Sequence, residues 1–188
     1  MIIRNKSDSL RHLEKLGLNY FPEKTFDPND RKMLEKINRF LEDNDVERYV
    51  LRDFSKFQGR TFFSITKNEV YQNISSYSDK FSIAVSSKNY GKYVLIGDIY
   101  ISDTLEDFWL FASNNPNYST RGVLKDPKWN FSTDFFDVRI KYVPNIDKII
   151  DYIFEHNLFN VVIEFAVYPE RVGKKNEFVA IFELRTHY

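Results

Sequence analysis

Two glutamates and an arginine near the C-terminal end have the types and spacing to do chemistry. Glu164 interrupts one apolar run, 160–168, while Glu183 and Arg185 lie in a second, 177–185. Both runs read as strands, in which side chains alternate between faces. Ile163, Phe165 and Val167 share a face of the first, and Ala180, Phe182 and Leu184 share a face of the second. These apolar sets define the core side. Val162, Glu164, Ala166 and Tyr168 then look outward, together with Val179, Ile181, Glu183 and Arg185. If Tyr168 pairs with Val179 across the 169–178 loop, Glu164 falls opposite Glu183. Carboxylates placed face to face repel. A shared proton, a cation such as Arg185, or a bound divalent metal would each relieve the repulsion. Magnesium suits such a site, because it takes few carboxylates and completes its shell with water and phosphate oxygens. A wet face with both glutamates solvated is the plain alternative, and a slip of one residue would separate the pair.

Other chemistries find little support. The chain has no cysteine, which excludes disulfides, thiolate catalysis and cysteine-bound zinc. His12, His156 and His187 are scattered, with no partner at metal-ligand spacing. Neither a GxGxxG nor a GxxxxGK[ST] phosphate loop is present, and no nucleophile elbow marks a serine hydrolase. Lysine plus arginine balance aspartate plus glutamate at 27 each, so duplex nucleic acid is not an expected partner. Aromatic residues reach 17%. They could stack on bases or sugars, but Phe, Tyr, Ile, Asn and Lys are all plentiful here, as AT-rich coding also produces. No apolar run approaches the roughly 20 residues of a membrane span, and the polar N-terminal sequence lacks a signal core. The expected location is cytoplasmic, with no membrane partner.

The elements that must position these residues can be read from periodicity. A first helix opens near Ser7 and ends at Gly17, with Leu10, Leu13 and Leu16 on one face. A second is capped by Asp27, takes Pro28 in its first turn, and buries Leu34, Ile37, Phe40 and Leu41. Strands are expected at 48–52 and 61–66, then a short helix carrying Val70, Ile74 and Tyr77. Phe81, Ile83 and Val85 alternate as a half-buried strand, and Gly91 turns a hairpin into 93–101. Residues 108–112 form another strand. Residues 113–133 read as a long loop whose charged candidates are Arg121 and Lys125. A short strand at 137–142 precedes a helix opened by Pro144, with Ile146, Ile149, Ile150, Ile153 and Phe154 on its stripe. The expected fold is α+β, a largely antiparallel sheet with flanking helices. The 188 residues suit a single compact α/β domain, with a small N-terminal lobe at 1–90 as an option.

The segments Val162-Ile163-Glu164-Phe165-Ala166 and Ile181-Phe182-Glu183-Leu184-Arg185-Thr186 resemble the end of the nucleotide-binding domain of pyruvate phosphate dikinase and phosphoenolpyruvate synthase, an ATP-grasp domain. There, a strand reading D-I-E-F/W is followed by one ending L-Q-x-R. Glu164 matches the family glutamate, Glu183 stands where glutamine is usual, and Arg185 matches the arginine. Lys6-Ser7-Asp8-Ser9-Leu10, with Gly17-Leu18-Asn19-Tyr20-Phe21-Pro22, is similar to the family's opening K-x-x-x-L and G-L-x-V-P-x. Val50-Leu51-Arg52-Asp53 is similar to its V-R-S-S strand, with Asp53 in place of a serine. The resemblance implies an ATP-grasp-like fold, Mg2+ and ATP as cofactors, Glu164 and Glu183 at the metal, and Lys6, Arg52 and Arg185 at the nucleotide phosphates. The chain is shorter than the family's domain, and no Gly-rich phosphate-covering segment is evident in it. Neither the phosphohistidine domain nor the phosphoenolpyruvate-binding barrel is expected to fit.

Two functions follow from these readings. One is a nucleotide-binding protein catalysing Mg-ATP-dependent phosphoryl transfer or ligation on an unknown substrate, by positioning and charge stabilisation. The other is a catalytically inactive relative that binds a protein or a single strand, with Trp109 and Trp129 as contact candidates. Whether the chain is an enzyme is open at this stage. The first reading requires Lys6, Arg52, Glu164, Glu183 and Arg185 to converge; the second requires an exposed aromatic or apolar patch.

Overall fold

A computed structural model describes residues 2–3, 6–53, 60–115 and 127–186. The chain is α+β and divides into two compact units, residues 1–20 with 92–188, and residues 21–91. Every strand pair among the described residues is antiparallel.

The larger unit contains helices α1 (Lys6–Lys15) and α4 (Ile146–Glu155). Its strands are β5 (Leu95–Ile101), β6 (Phe108–Ser113), β7 (Trp129–Thr133), β8 (Val161–Val172) and β9 (Glu177–Thr186). They form a five-stranded sheet in the order β7-β6-β5-β8-β9, which leaves β9 at one edge. Apolar residues of one sheet face, among them Ile99, Leu110, Ile163, Phe165 and Leu184, pack with Leu13 of α1 and Ile149 and Ile153 of α4. Gly17 ends α1 as its sequence predicts. It takes φ +64°, and the Leu18 N–H bonds back to the Leu13 carbonyl at 3.0 Å. Asn19, fully buried, then accepts the Ile181 N–H on its own carbonyl at 2.8 Å and ties the β8–β9 hairpin through its side chain.

The smaller unit carries β1 (Glu23–Phe26), α2 (Met33–Asp43), β2 (Tyr49–Asp53), β3 (Thr61–Ile65), α3 (Lys67–Ile74) and β4 (Phe81–Val85). Its four-stranded sheet runs β1-β4-β2-β3. Ile37, Phe40 and Leu41 of α2 and Val70 of α3 pack with Tyr49, Leu51, Phe81 and Ile83 into a core of its own. Thr66 and Glu69 form a reciprocal capping box that starts α3.

Several elements depart from the periodicity. The second helix begins at Met33, not at Pro28, because Asp27 and Asp30 accept the N–H groups of Asn29 and Lys32, each at 2.9 Å. These local turns compete with helix, and Leu34 is left 54% exposed. β1 was not anticipated. Every residue of β4 is buried, where a half-buried strand was expected, and β4 is central in its sheet, between β1 and β2. Gly91 closes a short 3-10 turn, Ser87–Tyr90, and β4 and β5 belong to different sheets, so no hairpin joins them. Residues Val138–Tyr142 form a 3-10 turn capped by Asp137 in place of the expected strand. The segment read as a loop at 113–133 ends in β7, paired to β6. Arg121, Lys125 and His187 lie outside the described residues.

Candidate functional site

Register across three strands produces a row of carboxylates. Asp98 on β5 lies opposite Glu164 on β8, and Glu164 lies opposite Glu183 on β9. Their sequence neighbours Ile99, Ile163, Phe165 and Leu184 all enter the core, so the row occupies the other face of the sheet.

The pairing of Glu164 with Glu183 is reached by a different route from the expected one. Toward the hairpin Val167, not Tyr168, faces Val179, and Phe165 faces Ile181. Continued without interruption, that register would set Glu183 against Ile163, on the core side. A bulge between Phe165 and Glu164 inserts Phe182 as the extra residue, restores Glu183 to the row and sends Leu184 inward opposite Ile163. The core face of β9 is therefore Val179, Ile181 and Leu184, and Phe182 is only partly buried. Alternation along one unbroken strand could not have placed both Ile181 and Leu184 inside.

Cations from two elements meet the row. Arg185, opposite Val162, reaches across β8 and donates from Nη2 to Asp98 Oδ1. Lys6, in the first turn of α1, holds its Nζ 3.6 Å from Glu183 Oε2. Burial pushes the Asp98 carboxyl up, Glu164 and Glu183 add to the effect, and Arg185 opposes it; the outcome is about 6. Burial acts against the charge of Arg185, but Asp98, Glu164 and Glu183 outweigh it and hold its guanidinium above the ordinary value. Asp98 was missed in the sequence. Its signal is a lone carboxylate within the apolar run 94–101, on a strand whose register with that of Glu164 is set by tertiary pairing.

Lys6, Glu164, Glu183 and Arg185 are thus brought together on the larger unit. Arg52 belongs to the smaller unit. There Glu23 accepts from both its Nε, at 2.7 Å, and its Nη2, and Ser82 joins the pair through its hydroxyl. The two charged side chains are 10% and 4% exposed, which makes this a buried ion pair. Among the described residues no three His, Cys, Asp or Glu side chains are grouped as a metal cluster. The row therefore offers an opposed pair of carboxylates, not a closed cage. That donor set fits a magnesium ion whose remaining ligands are waters and phosphate oxygens.

The sequence matches no protein-family model and no curated protein. Solved structures do match. N5-carboxyaminoimidazole ribonucleotide synthetase in its ADP complex aligns with a TM-score of 0.55 at 12% identity, over 97% of this chain and 45% of that one. D-alanyl-alanine synthetase A from Vibrio cholerae O1 biovar eltor aligns with a TM-score of 0.50 at 12% identity, over 97% of this chain and 54% of that one. The fold is that of ATP-grasp ligases. The chain spans about half the length of these solved structures. Within the ATP-grasp fold of this chain, β8 and β9 carry the two glutamates, and α1 and β9 carry the cations that meet them. Among the described residues, no helix is long and apolar enough to cross a membrane.

Proposed function

We propose that the protein binds Mg-ATP on the outward face of the β5–β8–β9 sheet. Glu164 and Glu183 hold the metal, and Lys6 and Arg185 neutralise the phosphates. The observation that carries this reading is the direct opposition of Glu164 and Glu183, with Lys6 and Arg185 beside them, in an ATP-grasp fold. Opposed carboxylates are unfavourable unless a cation lies between or beside them. The row has three acids and two bases when all are ionised, so it retains a deficit that a divalent ion would reverse. That one of the aligned structures is an ADP complex supports a nucleotide as the ligand. The dikinase-like motif falls on the same strands, which favours phosphate contacts by Arg185. When bound, magnesium would supply charge for the β- and γ-phosphate oxygens. The residues of this chain bind and orient; no side chain of the row is placed as a nucleophile. The reaction class we assign is ATP-dependent ligation or phosphoryl transfer.

Arg52 enters this proposal differently from the other cations. Glu23 already takes two of its nitrogens, so its first role is to hold the smaller unit's sheet. The non-catalytic reading draws support from Phe136, Val138 and Tyr142, three exposed large apolar side chains of the larger unit that alternate with charged residues. Trp109 and Trp129 are partly buried, and Trp129 packs against the core.

A thermal-shift titration with ATP, with and without Mg2+, separates the two. A ligand at about 100 times its Kd adds roughly 2.7 kcal/mol, or on the order of 5–10 °C for a chain of this size. The expected result is an upward shift that needs Mg2+ and is lost in Glu164→Gln. No shift at saturating Mg-ATP would remove the nucleotide reading and leave the partner-binding one.

A further inference from the structure

The edge of β9 shows how Glu183 comes to face Glu164. In an antiparallel strand the N–H groups point alternately toward the paired neighbour and away from it. β9 is an edge strand, so its outward N–H groups need acceptors other than a strand. Two find them. The Ile181 N–H donates to the Asn19 carbonyl at 2.8 Å, and the Leu184 N–H donates to Ser9 Oγ at 2.8 Å. Residues 181 and 184 are three apart. An uninterrupted strand would aim one of these two N–H groups back at β8, so both can be captured from outside only when an extra residue lies between them. That extra residue is Phe182, the bulge that restores Glu183 to the row. Ser9 is 1% exposed, and Leu184 is fully buried, so no water replaces the hydroxyl. Ser9 also lies three residues along α1 from Lys6, whose ammonium meets Glu183.

We propose that Ser9 is a positioning residue for the carboxylate pair. Its hydroxyl locks the bulge by holding the Leu184 N–H, which fixes the direction of Glu183. The proposal rests on the Mg-ATP reading for its functional consequence, but not for its geometry. Ser9 touches neither carboxylate and acts through the backbone of β9.

Because the chain has no cysteine, the geometry can be tested without nucleotide. Directly opposed residues in a sheet come within the Cα range that a disulfide needs, about 4.4–6.8 Å. Glu164→Cys/Glu183→Cys is oxidised with copper phenanthroline, with Ser9 retained and with Ser9→Ala. The expected result is ready cross-linking with serine and a rate roughly five- to tenfold lower with alanine in a folded protein, since the Leu184 N–H then lacks an acceptor. Equal rates would overturn the proposal. Should Ser9→Ala not fold, Ser9→Thr against Ser9→Val makes the same comparison, as the two differ only in the hydroxyl. In the protein with both glutamates, Ser9→Ala is expected to raise the Mg2+ concentration for half-maximal ATP binding about tenfold, since Glu183 then loses its fixed direction. Metal-free ATP binding should change little, and Ser9→Thr should restore the metal response. A fall in metal-free and metal-dependent binding by the same factor would mean general destabilisation and would overturn the positioning role. A slowed cross-link in a protein that never responds to Mg-ATP would uphold the geometry and sink the nucleotide reading alone.

Discussion

At the scale of single residues, the Asp98 carboxyl is raised by burial from 3.8 to about 6. A carboxyl whose folded value is raised binds its proton more tightly in the folded state than in the unfolded chain. Its contribution to stability is full below pH 4 and is lost as the pH rises through about 6. Asp98→Asn should therefore flatten the pH dependence of the unfolding free energy between pH 4 and 6. The difference from the wild type is expected to approach about 3 kcal/mol, at 1.36 kcal/mol per unit. Urea unfolding at several pH values would check this, and an unchanged slope would show that Asp98 is not the group responsible. Arginines 52 and 185 make a complementary pair. Arg52→Ala takes the cation from the buried Glu23 carboxylate and should cost about 3–5 kcal/mol. Arg185→Ala should cost less than this, because its own side chain is 46% exposed and Asp98, already raised to about 6, can keep its proton when the cation is removed; it should also weaken the response to Mg-ATP. Equal stability losses in the two variants would contradict the assignment of a structural role to the first and a ligand role to the second.

At the scale of elements, the site depends on how closely β5 and β6 approach. Gly97 pairs with Ala112, and a β-carbon added there would lie 2.2 Å from the Phe111 carbonyl oxygen and 2.7 Å from Ala112 Cα. The obstruction is backbone, which cannot swing aside. Gly97→Ala should therefore lower stability by an amount at or above the usual overpacking range of about 1–3 kcal/mol. It should also disturb Asp98, the next residue. Denaturant melts would report the first effect, and a loss of the pH-dependent component described for Asp98 would report the second. The bulge in β9 works on the same scale. One inserted residue decides whether Glu183 faces Glu164 or the core, and a helix hydroxyl and the Asn19 carbonyl hold it in place.

At the scale of the whole molecule, each unit has its own sheet and its own buried core. Lys6, Asp98, Glu164, Glu183 and Arg185 all belong to the larger one. That unit is discontinuous in sequence, since residues 1–20 join 92–188. α1 thus reaches the candidate site: it carries Lys6 beside Glu183 and docks on β9. Removal of residues 1–15 should expose the β9 edge and abolish the thermal shift with Mg-ATP. A shortened chain that still responded would place the phosphate contacts elsewhere. The ATP-grasp fold is shared at 12% identity with ligases about twice as long, and a shared fold does not carry a substrate with it.

Composition and periodicity determined the α+β class, the strands carrying Glu164 and Glu183, the end of α1 at Gly17 and the core positions Ile146, Ile149 and Ile153 of α4, whose stripe loses Phe154 to the surface at 43% exposure. Each follows from local rules: alternation along a strand, spacing along a helix, and the tolerance of glycine for positive φ. The opposition of the two glutamates was legible too, through a pairing that is off by one residue. Tertiary structure alone decided the rest. A bulge leaves no mark in hydrophobic alternation, because Phe182 reads as well for a core residue as for an inserted one. Asp98 joined the row only when β5 was found beside β8, a neighbour far from it in sequence. The capture of β9's outward N–H groups by Ser9 and Asn19 links residues 175 and 162 positions apart. Such contacts are fixed by how elements dock, and a hydrogen bond across that separation has no local signature in the chain.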